Sequence, residues 1–267
     1  MVVEIYSKAM DRKIPALILL PENHQNEESK TFPTLYMLHG YSGDYMGFSD
    51  YMEDLQDLSN LYQIIFICPD GAYNSWYLDS PYGSDCLFET FISKELVQYV
   101  DENFRSIKNK NQRAIMGLSM GGHGALYNAF RNSEIFGAAG SMSGGLDFTP
   151  FPMEWEINHR LGAFLTHQKR WHEHCVTNMI HLIPKEFPLI IDCGVDDFFI
   201  KVNRVFHEKL LKANIPHDYT ERSGEHNWDY WANATRFQIL FFSKTFQTTK
   251  LSKEQNLVEL YTTDIGY

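Results

Sequence analysis

The sequence predicts an α/β fold with a mostly parallel central sheet and helices on both faces. Three observations carry that expectation. Short apolar runs suited to buried strands alternate with segments of helical periodicity, one such run empties into a glycine-rich loop, and another stops at a glycine-framed serine before a helix-compatible segment. At 267 residues the chain is long enough for one large domain with a substantial core.

Taken in order, residues 16–20 form an apolar run closed by Pro21, and the polar stretch 22–30 has the composition of an exposed hairpin loop, so the run is expected at an early antiparallel edge. Residues 34–38 are continuously apolar, as suits a strand buried on both faces, and run into His39-Gly40-Tyr41-Ser42-Gly43-Asp44. Ligands of open α/β sheets bind at the carboxyl ends of strands, so the amides around Gly40 and Tyr41 are placed to meet a substrate. Residues 64–68 give the next strand and lead to Asn74-Ser75-Trp76-Tyr77 on the same edge. Trp76 and Tyr77 can wall a substrate pocket there, with packing beneath the loop as the competing role. From Phe88 to Phe104 apolar residues recur at three- and four-residue steps, the pattern of a helix face against a sheet.

The run 113–118 ends in Gly117-Leu118-Ser119-Met120-Gly121. This spacing is that of a nucleophile elbow, in which a strained strand-to-helix turn lifts the serine clear of the sheet and side chains two positions either side would collide. The first amides of the following helix, beginning with the N–H of Met120, then face charge developing beside Ser119. A helix N-cap is the plainer role for such a serine; context argues for more. Small residues at 138–144 suit a sheet position close to the elbow helix, and 145–187 reads as an irregular, lid-like insertion. The sheet resumes at 188–194, followed by Asp196 and Asp197 and a helix over about 202–213. A strand at 217–222 and a loop bearing His226 precede an aromatic-rich helix over 228–246, and about 247–267 reads as a polar tail, which leaves a homo-oligomer open.

Bulk properties narrow the function. A formal net charge of -11 supplies no basic surface for nucleic acid. No apolar run approaches the roughly 20 residues a membrane helix needs, and the start lacks a signal-peptide pattern. The expectation is a cytoplasmic protein with no membrane partner. Cys68, Cys86, Cys175 and Cys193 form no C-x-x-C pair and are expected as free thiols. His167, His172, His174 and His181 lack a second ligand pair at zinc-like spacing, so neither metal nor cofactor is expected.

A glycine-framed serine at a strand end, then an acid and a histidine each in a loop after a later strand, is the Ser, Asp, His order of the α/β-hydrolase fold. In that arrangement His226 takes the proton of Ser119 as it attacks a carbonyl carbon, and an aspartate holds the imidazole tautomer. Asp196 and Asp197 are adjacent, and periodicity does not choose between them. His39 and His123 occupy the oxyanion loop and the elbow helix rather than the late loop the fold uses for its base.

Leu38-His39-Gly40-Tyr41-Ser42-Gly43, Asn74-Ser75-Trp76-Tyr77, the elbow, Cys193-Gly194-Val195-Asp196-Asp197-Phe198 and Gly224-Glu225-His226-Asn227-Trp228 together resemble motifs of the tributyrin esterase (EstA-like) group of the esterase D and S-formylglutathione hydrolase superfamily. The resemblance spans about residues 35–242. It implies a cofactor-free serine carboxylesterase acting on small-molecule short acyl esters, including acetyl groups on carbohydrates. It also implies a triad of Ser119, Asp197 and His226 and an oxyanion hole of the Tyr41 and Met120 amides, with Gly40 at the substrate. S-formylglutathione hydrolases usually carry a cysteine shortly after the oxyanion glycine, and residues 42–48 contain none, which weighs against a thioesterase. Acyl transfer to an alcohol uses the same triad and is the second enzymatic alternative. A binding protein on a hydrolase fold ordinarily shows a broken triad, and here every part is retained.

Overall fold

The computed structural model describes residues 1–27 and 29–263, except the side chains of Gln25 and of residues 249–263. Eight strands form one sheet: β1 (Val2–Ser7), β2 (Arg12–Leu19), β3 (Thr34–Leu38), β4 (Ile65–Pro69), β5 (Arg113–Leu118), β6 (Ala138–Met142), β7 (Leu189–Gly194) and β8 (Asp218–Arg222). Their order is β1-β2-β4-β3-β5-β6-β7-β8. β2 pairs antiparallel with β1 and with β4, and every pairing from β4 to β8 is parallel.

Alternation along the central strands explains why they are apolar throughout. Leu35 and Met37 of β3, Phe66 and Cys68 of β4, and Ala114, Met116 and Leu118 of β5 enter one core layer. Their neighbours Tyr36, Leu38, Ile65, Ile67 and Ile115 enter the other. The second layer is closed by α1 (Val97–Asn103), α2 (Met120–Arg131), α3 (Phe164–His174) and α4 (Ile200–Lys212), which bury Val100, Leu126, Trp171 and Phe206. The first is closed by Leu55–Tyr62 and by α5 (Trp228–Thr263), which buries Trp231 and Phe242. Strand β6 is built of small residues because helices press on it from both sides. A Cβ on Gly140 would lie 2.3 Å from Gln238 Oε1 of α5, and one on Gly122 of α2 would lie 2.7 Å from Ser141 Oγ.

Several local expectations are corrected. The edge strand is β1, not the run at 16–20, and residues 22–30 are not a hairpin because β2 pairs with β4 rather than β3. The helix expected from Phe88 is present, running through Phe88–Thr90 and a π-helical stretch over Phe91–Leu96 into α1, and Glu95 in that stretch accepts hydrogen bonds from Ser7 Oγ and the Ala9 N–H. The insertion at 145–187 carries Ile157–Leu161 and α3. Helix α5 continues to Thr263, through most of the region expected as a polar tail, in a stretch free of glycine and proline. The last four residues of that expectation, 264–267, lie outside the described residues. Among the described residues no helix is long and apolar enough to cross a membrane, and the four cysteines are free and buried.

Packing at the β5–α2 turn leaves no room for a side chain at Gly121. A Cβ on Gly121 would lie 2.1 Å from the carbonyl oxygen of Leu38 and 2.5 Å from that of His39, both backbone atoms that cannot rotate away. One on Gly83 would meet the exposed Asp85 carboxylate, at 2.5 Å, the end of a side chain that can rotate away. Thermal unfolding should therefore separate the two substitutions. Gly121→Ala is expected to cost about 1–3 kcal/mol or more, a fall in Tm of about 3–10 °C, while Gly83→Ala stays near wild type. Equal Tm values for the two variants would show that the elbow is not so constrained.

Candidate active site

Ser119 sits between β5 and α2 with φ 55° and ψ −117°, a conformation that costs a non-glycine residue about 1–3 kcal/mol unless its surroundings enforce it. They do so here. A Cβ on Gly117 would stand 2.3 Å from the carbonyl oxygen of Gly121, so the two glycines can only be glycines if the turn is to close. The Ser119 N–H donates to the Met142 carbonyl at 2.9 Å, and the Ser119 carbonyl accepts from the N–H groups of His123 at 3.1 Å and Gly145 at 3.3 Å.

His226, in the loop between β8 and α5, meets this serine. Its Nε2 lies 2.9 Å from Ser119 Oγ and its Nδ1 lies 2.8 Å from Asp197 Oδ2. A carboxylate can only accept, so it holds the imidazole proton on Nδ1 and leaves Nε2 free to accept from the serine hydroxyl. The Asp197 side chain is fully buried, and its Oδ1 accepts the Phe199 N–H at 2.8 Å. Asp196 is exposed; only its backbone N–H is engaged here, with the Gly224 carbonyl at 3.1 Å. The two loops can approach because β7 ends in glycine: a Cβ on Gly194 would stand 2.3 Å from the Gly224 carbonyl oxygen, and Gly224 itself has φ +144°.

The β3 loop completes the geometry. Gly40 lies against the elbow, where a Cβ would be 3.3 Å from Ser119 Cβ. Among the described residues, the N–H groups of Tyr41 and Met120 have no protein acceptor. They are two donors beside the serine with nothing to donate to. His39 braces this loop from below. Its Nε2 accepts the Gly71 N–H at 2.7 Å, which places the proton on Nδ1, and Nδ1–H donates to the Gly40 carbonyl at 2.7 Å. A ring nitrogen that accepts an N–H is unprotonated, and burial lowers the His39 pKa in the same sense. His123 is enclosed with its ring nitrogens 3.1 Å from the Trp76 carbonyl and 2.9 Å from the His174 carbonyl, and burial pushes it down to about 4. Neither ring hydrogen-bonds Ser119 Oγ, so among the described residues His226 is the histidine that meets the serine.

Over Ser119 opens a cleft of about 460 Å³ walled by Tyr41, Tyr51, Trp155, Phe198, Trp228 and Trp231, with Asp44 and Asp50 at its margin. The expected wall residues Trp76 and Tyr77 do not line it. Both are fully buried. Tyr77 fills a slot between Gly71 and Gly124, where side chains on either glycine would overlap its ring; its hydroxyl donates to the His39 carbonyl at 3.1 Å. Trp76 packs against His123 and Phe148 at centroid distances of 5.4 and 5.5 Å. Both residues have positive φ, 54° and 56°, and their rings turn into the core rather than towards the cleft. Phe198 directly follows Asp197 and Trp228 stands two residues after His226, so sequence proximity to the triad points to both, whereas Trp155 comes from the insertion and carries no local signal. Among the described residues no group of three or more His, Cys, Asp or Glu side chains could hold a metal ion, and His172, His174 and His181 instead border a separate groove with Arg131 and Lys169.

Comparison with known proteins agrees with this architecture. The family model described as "Putative esterase" matches residues 7–236. An acetyl esterase of Caldicellulosiruptor saccharolyticus is 27% identical over 261 residues, covering 86% of this chain and 93% of that protein. Esterase Rv1288 of Mycobacterium tuberculosis is 28% identical over 235 residues; that match covers 78% of this chain and 51% of the relative, so the chain spans half of that longer protein. A solved ferulic acid esterase superposes with a TM-score of 0.80 over 92% of this chain and 97% of its own at 24% identity, a likeness of fold. The chain thus belongs to the Esterase family and is built on the α/β-hydrolase fold.

Proposed function

We propose that this protein is a serine carboxylesterase that hydrolyses short-chain acyl esters, acetyl esters of carbohydrates among them, through an acyl-enzyme on Ser119. The observation that carries the reading is the unbroken hydrogen-bonded line from Ser119 Oγ through both nitrogens of His226 to the buried Asp197, with two unengaged amides beside it. The similarity to an acetyl esterase supports the acyl size, and a cleft of about 460 Å³ lies within the range of small-molecule sites.

In this mechanism Ser119 Oγ bonds to the ester carbonyl carbon while its proton passes to His226 Nε2. The carbonyl electron pair moves onto oxygen, where the Tyr41 and Met120 N–H groups receive it. The tetrahedral species collapses as the imidazolium returns that proton to the departing alkoxide, releasing the alcohol. Water then attacks the acyl carbon with His226 again as base, and collapse expels Ser119 and frees the acid. Asp197 stabilises the imidazolium throughout without itself taking the proton. The same reading places the enzyme in the cytoplasm, for which the four free thiols are the support.

Two sets of variants test the assignment. Ser119→Ala is expected to remain folded by circular dichroism and to lose turnover of p-nitrophenyl acetate by about 10⁴–10⁶; wild-type-like rates would end the proposal. For the acid, Asp197→Asn preserves shape but favours the wrong imidazole tautomer, with an expected loss in kcat of about 10⁴. Asp196→Asn, which changes only an exposed carboxylate, should cost far less. A larger loss at Asp196 would mean that the carboxylate acting on His226 is misassigned.

A further inference from the structure

Trp155 occupies an unusual place. It arises from the insertion between β6 and β7, yet it lines the cleft beside Ser119 and His226. Its indole stacks on Phe198 with centroids 5.6 Å apart and planes 17° from parallel, and Phe198 in turn lies 4.1 Å from the His226 ring. It also packs against Phe199 at 5.0 Å, whose N–H holds Asp197, against Phe151 at 5.3 Å and against Trp76 at 6.3 Å.

The backbone beneath the indole is strained. Trp155 and Glu156 are consecutive non-glycine residues in the left-handed region, with φ of 49° and 54°. Such a pair persists only where surrounding contacts over-determine it, and outliers of this kind gather at functional sites. Such contacts are present, and the polar ones to side chains come from the β4 loop. Trp76 Nε1–H donates to the Trp155 carbonyl at 3.3 Å. The Asn74 side-chain amide donates to the Glu156 carboxylate. Arg160 clamps Asn74 in turn, donating to its side-chain oxygen and, at 3.2 Å, to its backbone carbonyl.

We infer that Trp155 is the specificity-determining wall of the cleft, limiting the size of the ester group that lies across Phe198, and that Asn74, Glu156 and Arg160 are positioning residues that hold it there. The inference rests on the serine esterase reading. An indole held by a strained turn and a polar latch cannot swing aside for a longer group, so the cleft favours esters with a small group on that side. Loss of the latch releases the turn, and with it the wall, without touching the groups that perform the chemistry.

The test uses two substrate series on one enzyme preparation: p-nitrophenyl esters of increasing acyl length, and acetate esters of increasingly large alcohols. In Trp155→Ala the ratio of kcat/KM for large over small members should rise about tenfold or more in one series, the discrimination a few methylenes provide in an apolar pocket. That series identifies which side of the ester faces the indole. Glu156→Ala should shift the same ratio in the same direction and add nothing in the Trp155→Ala background, while Glu156→Gln, whose carbonyl can still accept from Asn74, should keep the wild-type ratio. A purely structural defect would lower all substrates alike and leave the ratio fixed. Unchanged ratios in both series for Trp155→Ala overturn the wall. A Glu156→Ala effect that persists undiminished without Trp155 overturns the latch. Wild-type enzyme that hydrolyses no member of either series removes the esterase reading and this inference together, and is distinguishable because the ratios then do not exist.

Discussion

The backbone turn at Ser119 sets the terms for everything around it. Its positive φ and ψ of −117° direct the chain from the end of β5 straight into α2. The turn exists only because Gly117 and Gly121 let α2 ride against β5 and against the carbonyls of Leu38, at the end of β3, and of His39, which follows it. That contact brings the β3 loop, with Gly40 and Tyr41, alongside the serine. It also directs the first amide of α2 at the same space. In the proposed mechanism the packing around this strained turn, rather than the substrate, holds the Tyr41 and Met120 amides as a pair of donors.

The second dependence is electrostatic. A neutral imidazole has one donor and one acceptor, and a buried carboxylate can only accept, so Asp197 fixes which nitrogen of His226 meets the serine. The groups behind this line are themselves pinned. Asp192 on β7 is buried and accepts from Tyr230 of α5 and Arg222 of β8, tying together the strands and helix from which the two loops emerge. His39, although it faces the cleft, spends both ring nitrogens on Gly71 and Gly40 and serves as a brace. The polar groups near Ser119 thus divide into those whose hydrogen bonds are complete and those left facing the cleft.

The parts of this arrangement that could be read from the sequence are those with a local cause. Glycines two positions either side of Ser119 record a steric requirement, and the order of serine, aspartate and histidine records the order of strands. Alternation along 34–38 and 113–118 cannot be seen in runs that are apolar on both faces, yet their continuity already signals central strands. What escaped depends on tertiary contact. The segment at 22–30 resembles a hairpin loop, and only the insertion of β4 between β2 and β3 shows otherwise. Trp76 and Tyr77 stand on the expected edge, but the slot that swallows Tyr77 is made by Gly71 and Gly124, 53 residues apart in the chain. Trp155 reaches the cleft through a latch to Asn74, more than 80 residues earlier, and no pattern within 145–187 announces it.

The central claim is that Ser119 Oγ is a nucleophile made reactive by its hydrogen bond to His226 and by the amides beside it. Its most direct test is to treat the folded protein with a serine-directed phosphonate and locate the adduct by peptide mass spectrometry. One stoichiometric adduct is expected, on Ser119, forming far more slowly in His226→Ala. A folded wild-type protein that takes up no phosphonate, or takes it up on another residue, would contradict the claim.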